Sequence, residues 1–245
     1  MSASVPTRAF LTARWEHLVL LNYTVPTRMI APLVPRGTEI DRFGGDVIVS
    51  LVGFLFADTR LLGVAVPGHR VFEEVNLRFY VSRVGKDGQL RRAVVFVREL
   101  VPRAAIAAMA RWAYNEPYLA VPMAHETSID SERGGYVCYA WRYGGQSFAI
   151  EASVNGPASA PESGSEAEFI TEHYFGYTTQ RDGGTLEYGV EHPSWRVWNT
   201  TNAGFFGNGA KLYGDKWGKI LSGRPRSAFV ALGSEVTVRV GERVA

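Results

Sequence analysis

In the segment Phe72-Glu-Glu-Val-Asn-Leu-Arg-Phe-Tyr-Val81 the side chains alternate with a period of two, the signature of a β-strand and not of a helix. On an extended backbone Glu74, Asn76 and Arg78 share one face, while Glu73, Val75, Leu77 and Phe79 share the other. A carboxylate, an amide and a guanidinium therefore stand in line, spaced by roughly 7 Å. Two destinations fit such a face. It is the ordinary outer surface of a half-exposed strand, or it lines the interior of a barrel as a polar row.

Strand patterning extends over most of the chain. Residues 15–23 and the β-branched and aromatic run 46–56 read as core strands, followed by a loop over 57–68. Residues 71–84 and 90–100 read as antiparallel neighbours joined by the turn Gly85-Lys-Asp-Gly88. The period then changes: Pro102 opens a helix on which Ile106, Met109, Ala110 and Ala113 fall on one face. Strands return at 136–143 and 146–154 around Gly144-Gly145, and a linker-like stretch follows at 155–164. Ser165-Glu-Ala-Glu168 is a capping box that opens a short helix to about Tyr174. Strands at 175–180 and 185–197, a helix at 211–221 and strands at 228–232 and 235–240 complete the pattern. Short helices scattered among many strands make an α+β chain with a large, mainly antiparallel sheet, curved or barrel-like. We expect one domain over 1–245 with a surface loop at about 155–165.

Composition narrows the function. A formal charge of +2 is too small for a domain whose affinity comes from phosphate neutralisation, so no nucleic-acid partner is expected. Lysine is scarce: of 26 basic residues only Lys86, Lys211, Lys216 and Lys219 carry an amine. The single cysteine, Cys138, excludes an intramolecular disulfide and a multi-cysteine zinc site, and it fits a reducing cytoplasm. No apolar run approaches a bilayer span and the first residues lack a secretory pattern, so a soluble cytoplasmic protein without a membrane partner is expected. The glycine pairs at 134–135, 144–145 and 183–184 read as hairpin turns and not as a phosphate loop. We therefore expect no cofactor.

Arg98 and Glu99 end the apolar run of their strand just before Pro102, beside the Glu74 strand across the hairpin. Such charges are either the strand's exit to solvent or part of a cluster of acid, amide and arginine groups. Arg78 is suited to clamp a carboxylate while Asn76 and Glu74 fix its orientation. Its own charge calls for a neighbouring-strand acid such as Glu99, a bound anion, or both. The five histidines show no metal-binding spacing, so no metal site is expected; His192, before Pro193 and near Trp195, is the best histidine for a pocket. Cys138 reads as an inert core residue.

Arg98-Glu-Leu100 followed by Pro102 and a helix resembles the corresponding segment of acetoacetate decarboxylases, and Phe72-Glu-Glu74 resembles the strand preceding it. More closely, Phe72–Val81, His192-Pro-Ser-Trp195 and Arg224-Pro-Arg-Ser-Ala-Phe-Val-Ala-Leu-Gly-Ser-Glu-Val236 are similar to the uncharacterised YqjF-like family, grouped with the same fold. The resemblance runs from Trp15 to Val240. It implies a cone-shaped antiparallel β-barrel with flanking short helices and a pocket inside. Glu74 and Glu99 match positions retained in that family; we expect catalytic roles for them with Arg98, and ligand contacts from Asn76, Arg78, Tyr80, Arg103 and His192.

The decarboxylases attack a ketone with a lysine amine from a Pro-Lys-Lys segment. Here that segment is Pro102-Arg103-Ala104, and a guanidinium cannot form the imine. The expectation is a protein that binds a small organic or keto acid without Schiff-base chemistry, with a second copy of itself as a further expected partner in a homo-oligomer. The alternative is a lyase whose lysine has moved, with Lys211 or Lys216 as its candidates.

Overall fold

A computed structural model of the chain describes residues 8–65, 68, 70–105, 107–108 and 115–244. Among the described residues fifteen strands join one sheet. They are β1 (Ala9–Val25), β2 (Glu39–Ile40), β3 (Val47–Leu61), β4 (Val64–Ala65), β5 (Phe72–Val84), β6 (Leu90–Val101), β7 (Tyr118–Ala120) and β8 (Met123–Thr127), then β9 (Gly134–Tyr143), β10 (Gln146–Asn155), β11 (Phe175–Thr179), β12 (Thr185–Glu191), β13 (Val197–Phe206), β14 (Ser227–Arg239) and β15 (Glu242–Arg243). The helices are short: α1 (Thr27–Ile30), a 3-10 turn over Ala31–Leu33, α2 (Glu166–Thr171), α3 (Gly209–Tyr213) and α4 (Asp215–Leu221). The fold is thus a mostly antiparallel sheet with few short helices.

The pairings return on themselves. Neighbours run β12-β11-β6-β5-β3-β1-β14, and β14 meets β12 again through Val190–Val238 and Glu191–Thr237. Every contact in this circuit is antiparallel except β11 on β6. From β14 the sheet continues through β13, β10, β9 and β8.

Strand alternation divides the core accordingly. Val75, Leu77, Phe79 and Val81 of β5 and Val49, Leu51 and Leu55 of β3 join Tyr139, Trp141, Ile150 and Val154 of the continuing arm in one apolar cluster. Residues of the opposite parity, among them Ile48, Val52, Phe54, Phe56, Phe72 and Tyr80, join Leu18, Leu20 and Trp195 in a second cluster. Each fully buried side chain of this size contributes about 1.5–3 kcal/mol. Both faces of β3 and β5 are therefore buried, and the polar row of β5 lies within the protein and not on its surface: Glu74, Asn76 and Arg78 are 3%, 1% and 7% exposed.

Several sequence expectations change. Residues 57–61, expected as loop, continue β3 and return through β4, because the hairpin pairs Arg60 with Ala65. The stretch 202–206 is strand β13, held on β10. The helix expected at 211–221 is two helices, since Gly214 adopts φ 87°, a left-handed value that breaks a right-handed helix. The two strands expected at 228–240 are one, β14, which bends at Gly233 opposite Glu16. The linker-like stretch is pinned: Ser159 bridges Val197, Trp198 Nε1 donates to the Gly156 carbonyl at 2.9 Å, and Ala158 is buried. Residues 104, 105, 107 and 108 are helical, whereas Ile106, Met109, Ala110 and Ala113 of the expected helical face, and His69, lie outside the described residues. Among the described residues no helix is long and apolar enough to cross a membrane.

Candidate functional site

The inner face of the circuit encloses a cavity of about 130 Å³. One part of its wall is aromatic and aliphatic, with Trp15, Phe54, Phe56, Phe72 and Trp195; the other carries Glu74, Asn76, Arg78, Glu99, Glu116, Tyr118, His173, Tyr188 and His192. β5 supplies the polar row because its even-numbered residues from Glu74 to Arg78 point inward. β6 adds Glu99 opposite Asn76, and Tyr118 of β7 lies beside Glu99 in parallel register.

The acidic end is tightly connected. Asn76 Nδ2 donates to Glu74 Oε1 at 3.0 Å, and the Tyr118 hydroxyl donates to Glu74 Oε2 at 3.0 Å. The Tyr188 hydroxyl donates to Glu116 Oε1 at 2.8 Å. Burial pushes the Glu74 carboxyl up to about 7, against hydrogen bonds from Asn76 and Tyr118 and the charge of Arg78. Burial, helped by the charge of Glu74 and opposed by Tyr188, pushes Glu116 up to about 8. Glu99 stands well above the carboxylate range through burial first and then the charges of Glu116 and Glu74. Three buried, mutually coupled carboxyls cannot all ionise, so the cluster holds protons at neutral pH. Asn76 Oδ1 and Glu99 Oε2 are buried without a hydrogen-bond partner.

The basic end is different in kind. Arg78 is buried, its Nε has no hydrogen-bond partner, and the structure gives its guanidinium no ion pair among the described residues. Glu99, expected as its partner, does not fill that role. A bulge between Leu77 and Arg78 shifts the register, so that Arg78 faces Phe96 across the hairpin. The guanidinium instead lies 5.8 Å from the Tyr80 ring centroid. The His173 ring lies 4.6 Å from the same ring. His173 Nε2 is 3.4 Å from Asp41 Oδ2, off the line of a hydrogen bond, and neither ring nitrogen has a hydrogen-bond partner. Burial, against the attraction of Asp41, holds the imidazole down to about 4. It is neutral at pH 7.

α2 sets this end of the cavity. Ser165 Oγ accepts from the Glu168 amide at 3.2 Å, and the Glu168 carboxylate accepts from the Gly164 amide at 2.7 Å, one residue before the cap where a capping box would place it. The helix ends by Thr171, short of the expected Tyr174. It presents Ile170 and Thr171 to the cavity, with His173 following.

The remaining sequence candidates divide. His192 lines the cavity, stacks on Trp195 at 4.1 Å between centroids, and has Nδ1 2.9 Å from the Pro193 carbonyl. Tyr80 does not reach the cavity lining. Its hydroxyl is hydrogen-bonded to Ser50 at 2.6 Å, in a buried chain that continues to Asn22 and Ser227. Arg98 faces away, because its neighbour Glu99 points inward; its Nη1 donates to the Leu212 carbonyl at the end of α3 at 3.0 Å. Arg103 is exposed and outside the cavity lining. All four lysines are exposed and none lines the cavity, Lys211 and Lys216 included. Among the described residues no cluster of three or more histidine, cysteine or acidic groups is arranged to hold a metal.

Glu116, Tyr118, His173 and Tyr188 escaped the sequence reading. Glu116 and Tyr118 sit in Asn115-Glu-Pro-Tyr118, where no alternation marks a strand, and His173 follows a helix whose end the sequence placed too late. Tyr188 lay in an expected strand, and its parity alone gave no reason to single it out.

Comparison with known proteins agrees with this architecture. Residues 12–232 match the family DUF2071, described as an uncharacterised conserved protein. The chain is 29% identical over 189 residues to the uncharacterised protein YqjF of Bacillus subtilis (strain 168), covering 76% of this chain and 74% of that protein. Among solved structures, the enduracididine biosynthesis enzyme MppR complexed with pyruvate superposes with a TM-score of 0.66 at 16% identity, covering 100% of this chain and 93% of that one. The acetoacetate decarboxylase of Legionella pneumophila superposes with a TM-score of 0.64 at 12% identity, covering 100% and 92%. At these identities the likeness is one of fold. The chain thus has the acetoacetate decarboxylase-like fold, and by a match that spans nearly its whole length it belongs to the DUF2071 family.

Proposed function

We propose that this chain, a single domain built as a cone-shaped barrel, binds a small organic acid in its cavity with the carboxylate on Arg78, and acts without a Schiff base. The observation that carries this reading is the buried Arg78 guanidinium, which has no ion pair among the described residues. An uncompensated buried charge of this kind destabilises a protein by about 3–5 kcal/mol, so an anionic ligand is its natural counterpart. The nearby carboxyls favour their neutral forms and compensate it poorly. Asn76 and the protonated acids then offer hydrogen bonds to the rest of the ligand.

A volume of about 130 Å³ favours a small acid over larger ligands, whose pockets run to about 300–1,000 Å³. A protein of the same fold complexed with pyruvate supports the choice of keto acids as the first class to test. The exposure of every lysine speaks against a relocated Schiff-base amine.

Calorimetric titration with a panel of small keto and hydroxy acids is the test. Arg78→Ala should weaken carboxylate binding by about 2 kcal/mol, close to 30-fold, while the fold persists. Equal affinities for the two proteins would show that Arg78 is a structural charge. Borohydride reduction in the presence of pyruvate should leave the protein's mass unchanged; a stable adduct on any lysine would restore the lyase alternative.

A further inference from the structure

We propose that His173 is a catalytic base of this cavity and that, with the Glu99 carboxyl as acid, it interconverts the keto and enol forms of a bound 2-keto acid. The inference rests on the carboxylate-binding reading of Arg78 and adds to it a reaction. His173 is an unused buried group: it lines the cavity, only 2% of its side chain is exposed, and neither ring nitrogen is hydrogen-bonded. A buried imidazole with no hydrogen bond beside its contact with Asp41 loses hydrogen bonds it would make in water, and such a deficit in a cavity wall points to a ligand. Its position is specific. His173 and Arg78 both contact the Tyr80 ring, at 4.6 Å and 5.8 Å, and both line the cavity, so the base and the residue that anchors the carboxylate share one end of it.

The acid faces the same space from another strand. Glu99 Oε2 is buried, unpartnered and in the lining, and the cross-strand pairing sets Glu99 against Asn76, one inward residue from Arg78. The carbonyl of a 2-keto acid is bonded to its carboxylate carbon. A ligand held by Arg78 therefore has its carbonyl carbon one bond, and C3 two bonds, from the anchored carboxylate carbon.

The step balances without a cofactor. His173 removes a proton from C3, the C–H electron pair becomes the C2–C3 double bond, and the carbonyl π pair takes the proton of Glu99 to give the enol. Reversal returns the ketone. The imidazolium formed is stabilised by Asp41 at 3.4 Å from Nε2, while Asp41 is itself oriented by Arg92 Nε at 2.8 Å. Neutral imidazole and neutral carboxyl are the forms that burial favours at the two positions, as the reaction requires.

The experiment follows the C3 proton signals of pyruvate and 2-ketobutyrate by NMR in deuterium oxide, at saturation fixed by calorimetry on the same protein. Wild type should exchange these protons faster than buffer alone. His173→Asn should lower the rate at saturation by about 100-fold or more, the usual share of a general base. Glu99→Gln, which keeps the shape of the acid, should lower it as well and serves if His173→Asn does not fold. Binding without exchange above the buffer rate overturns the reaction and leaves the binding function standing. Exchange undiminished in either folded variant removes that residue's role. No binding of either keto acid overturns the reaction, and the binding function falls with it only if the hydroxy acids of the calorimetric panel fail to bind as well.

Discussion

The carboxyls of Glu74, Glu99 and Glu116 tie ligand chemistry to stability. Each binds a proton in the folded protein that the unfolded chain releases near 4.5, so stability falls as the pH rises from that value through the folded ones, about 7 for Glu74 and about 8 for Glu116. His173 works the other way: held down to about 4, its contribution is lost as the pH falls below the ordinary 6.5. Between pH 6.5 and 8 the folded histidine is neutral and the unfolded one sheds only its remaining proton at the low end, so the three acids dominate the titration. Across that window the melting temperature should fall, with a slope of about 1.4 kcal/mol per pH unit for each acid still titrating. Glu116→Gln should flatten the fall; a wild-type profile level from 6.5 to 8 would show that the acids are not held neutral. The same residues mark what the sequence makes legible. Glu74, Asn76 and Arg78 were readable as a set because one strand's alternation groups them. Glu116 and His173 were not, because their meeting with that set depends on tertiary closure.

At the scale of elements, the pairing of β11 with β12 depends on a missing side chain. Gly176 lies opposite Tyr188, and a Cβ at Gly176 would stand 2.2 Å from Tyr188 Cζ and 2.4 Å from its hydroxyl oxygen. The absence of that Cβ lets the tyrosine lie across the strand and reach Glu116. Gly176→Ala should therefore displace the ring and cost about 1–3 kcal/mol, read as a lower melting temperature. Gly189→Ala, where the nearest atom is 3.5 Å away, is the control and should stay within about 0.5 kcal/mol. Equal effects of the two substitutions would mean that Tyr188 is not held by this contact. Strands with clear alternation were recognisable from sequence with ends shifted by a few residues. Pieces without a clean alternation, such as 202–206, became strands through pairing with β10, a non-local contact that no local pattern encodes.

For the molecule as a whole, β14 is the strand on which the circuit depends. It pairs with β1, β12 and β13, so it closes the ring and also carries the arm that covers the outer face of β3 and β5. Its main partner lies at the other end of the chain: Asn22 and Ser227 are hydrogen-bonded across a separation of 205 residues. Without β14, β1 loses one of its two ladders, and Leu18, Leu20 and Val19 lose Val230 and Ala231 beside them. The cavity would lose the wall made by Val238 and the closure between Val190 and Val238. A chain ended at Ser222 should therefore show no cooperative thermal transition by circular dichroism and no binding of small acids. A chain ended at Val240, lacking β15 but retaining β14, should unfold cooperatively at a lower temperature, since β15 pairs through only Leu186–Arg243 and Glu187–Glu242. A cooperative transition in the shorter chain would show that the strands before β14 form a core of their own, and that the ring is closed onto an already folded sheet.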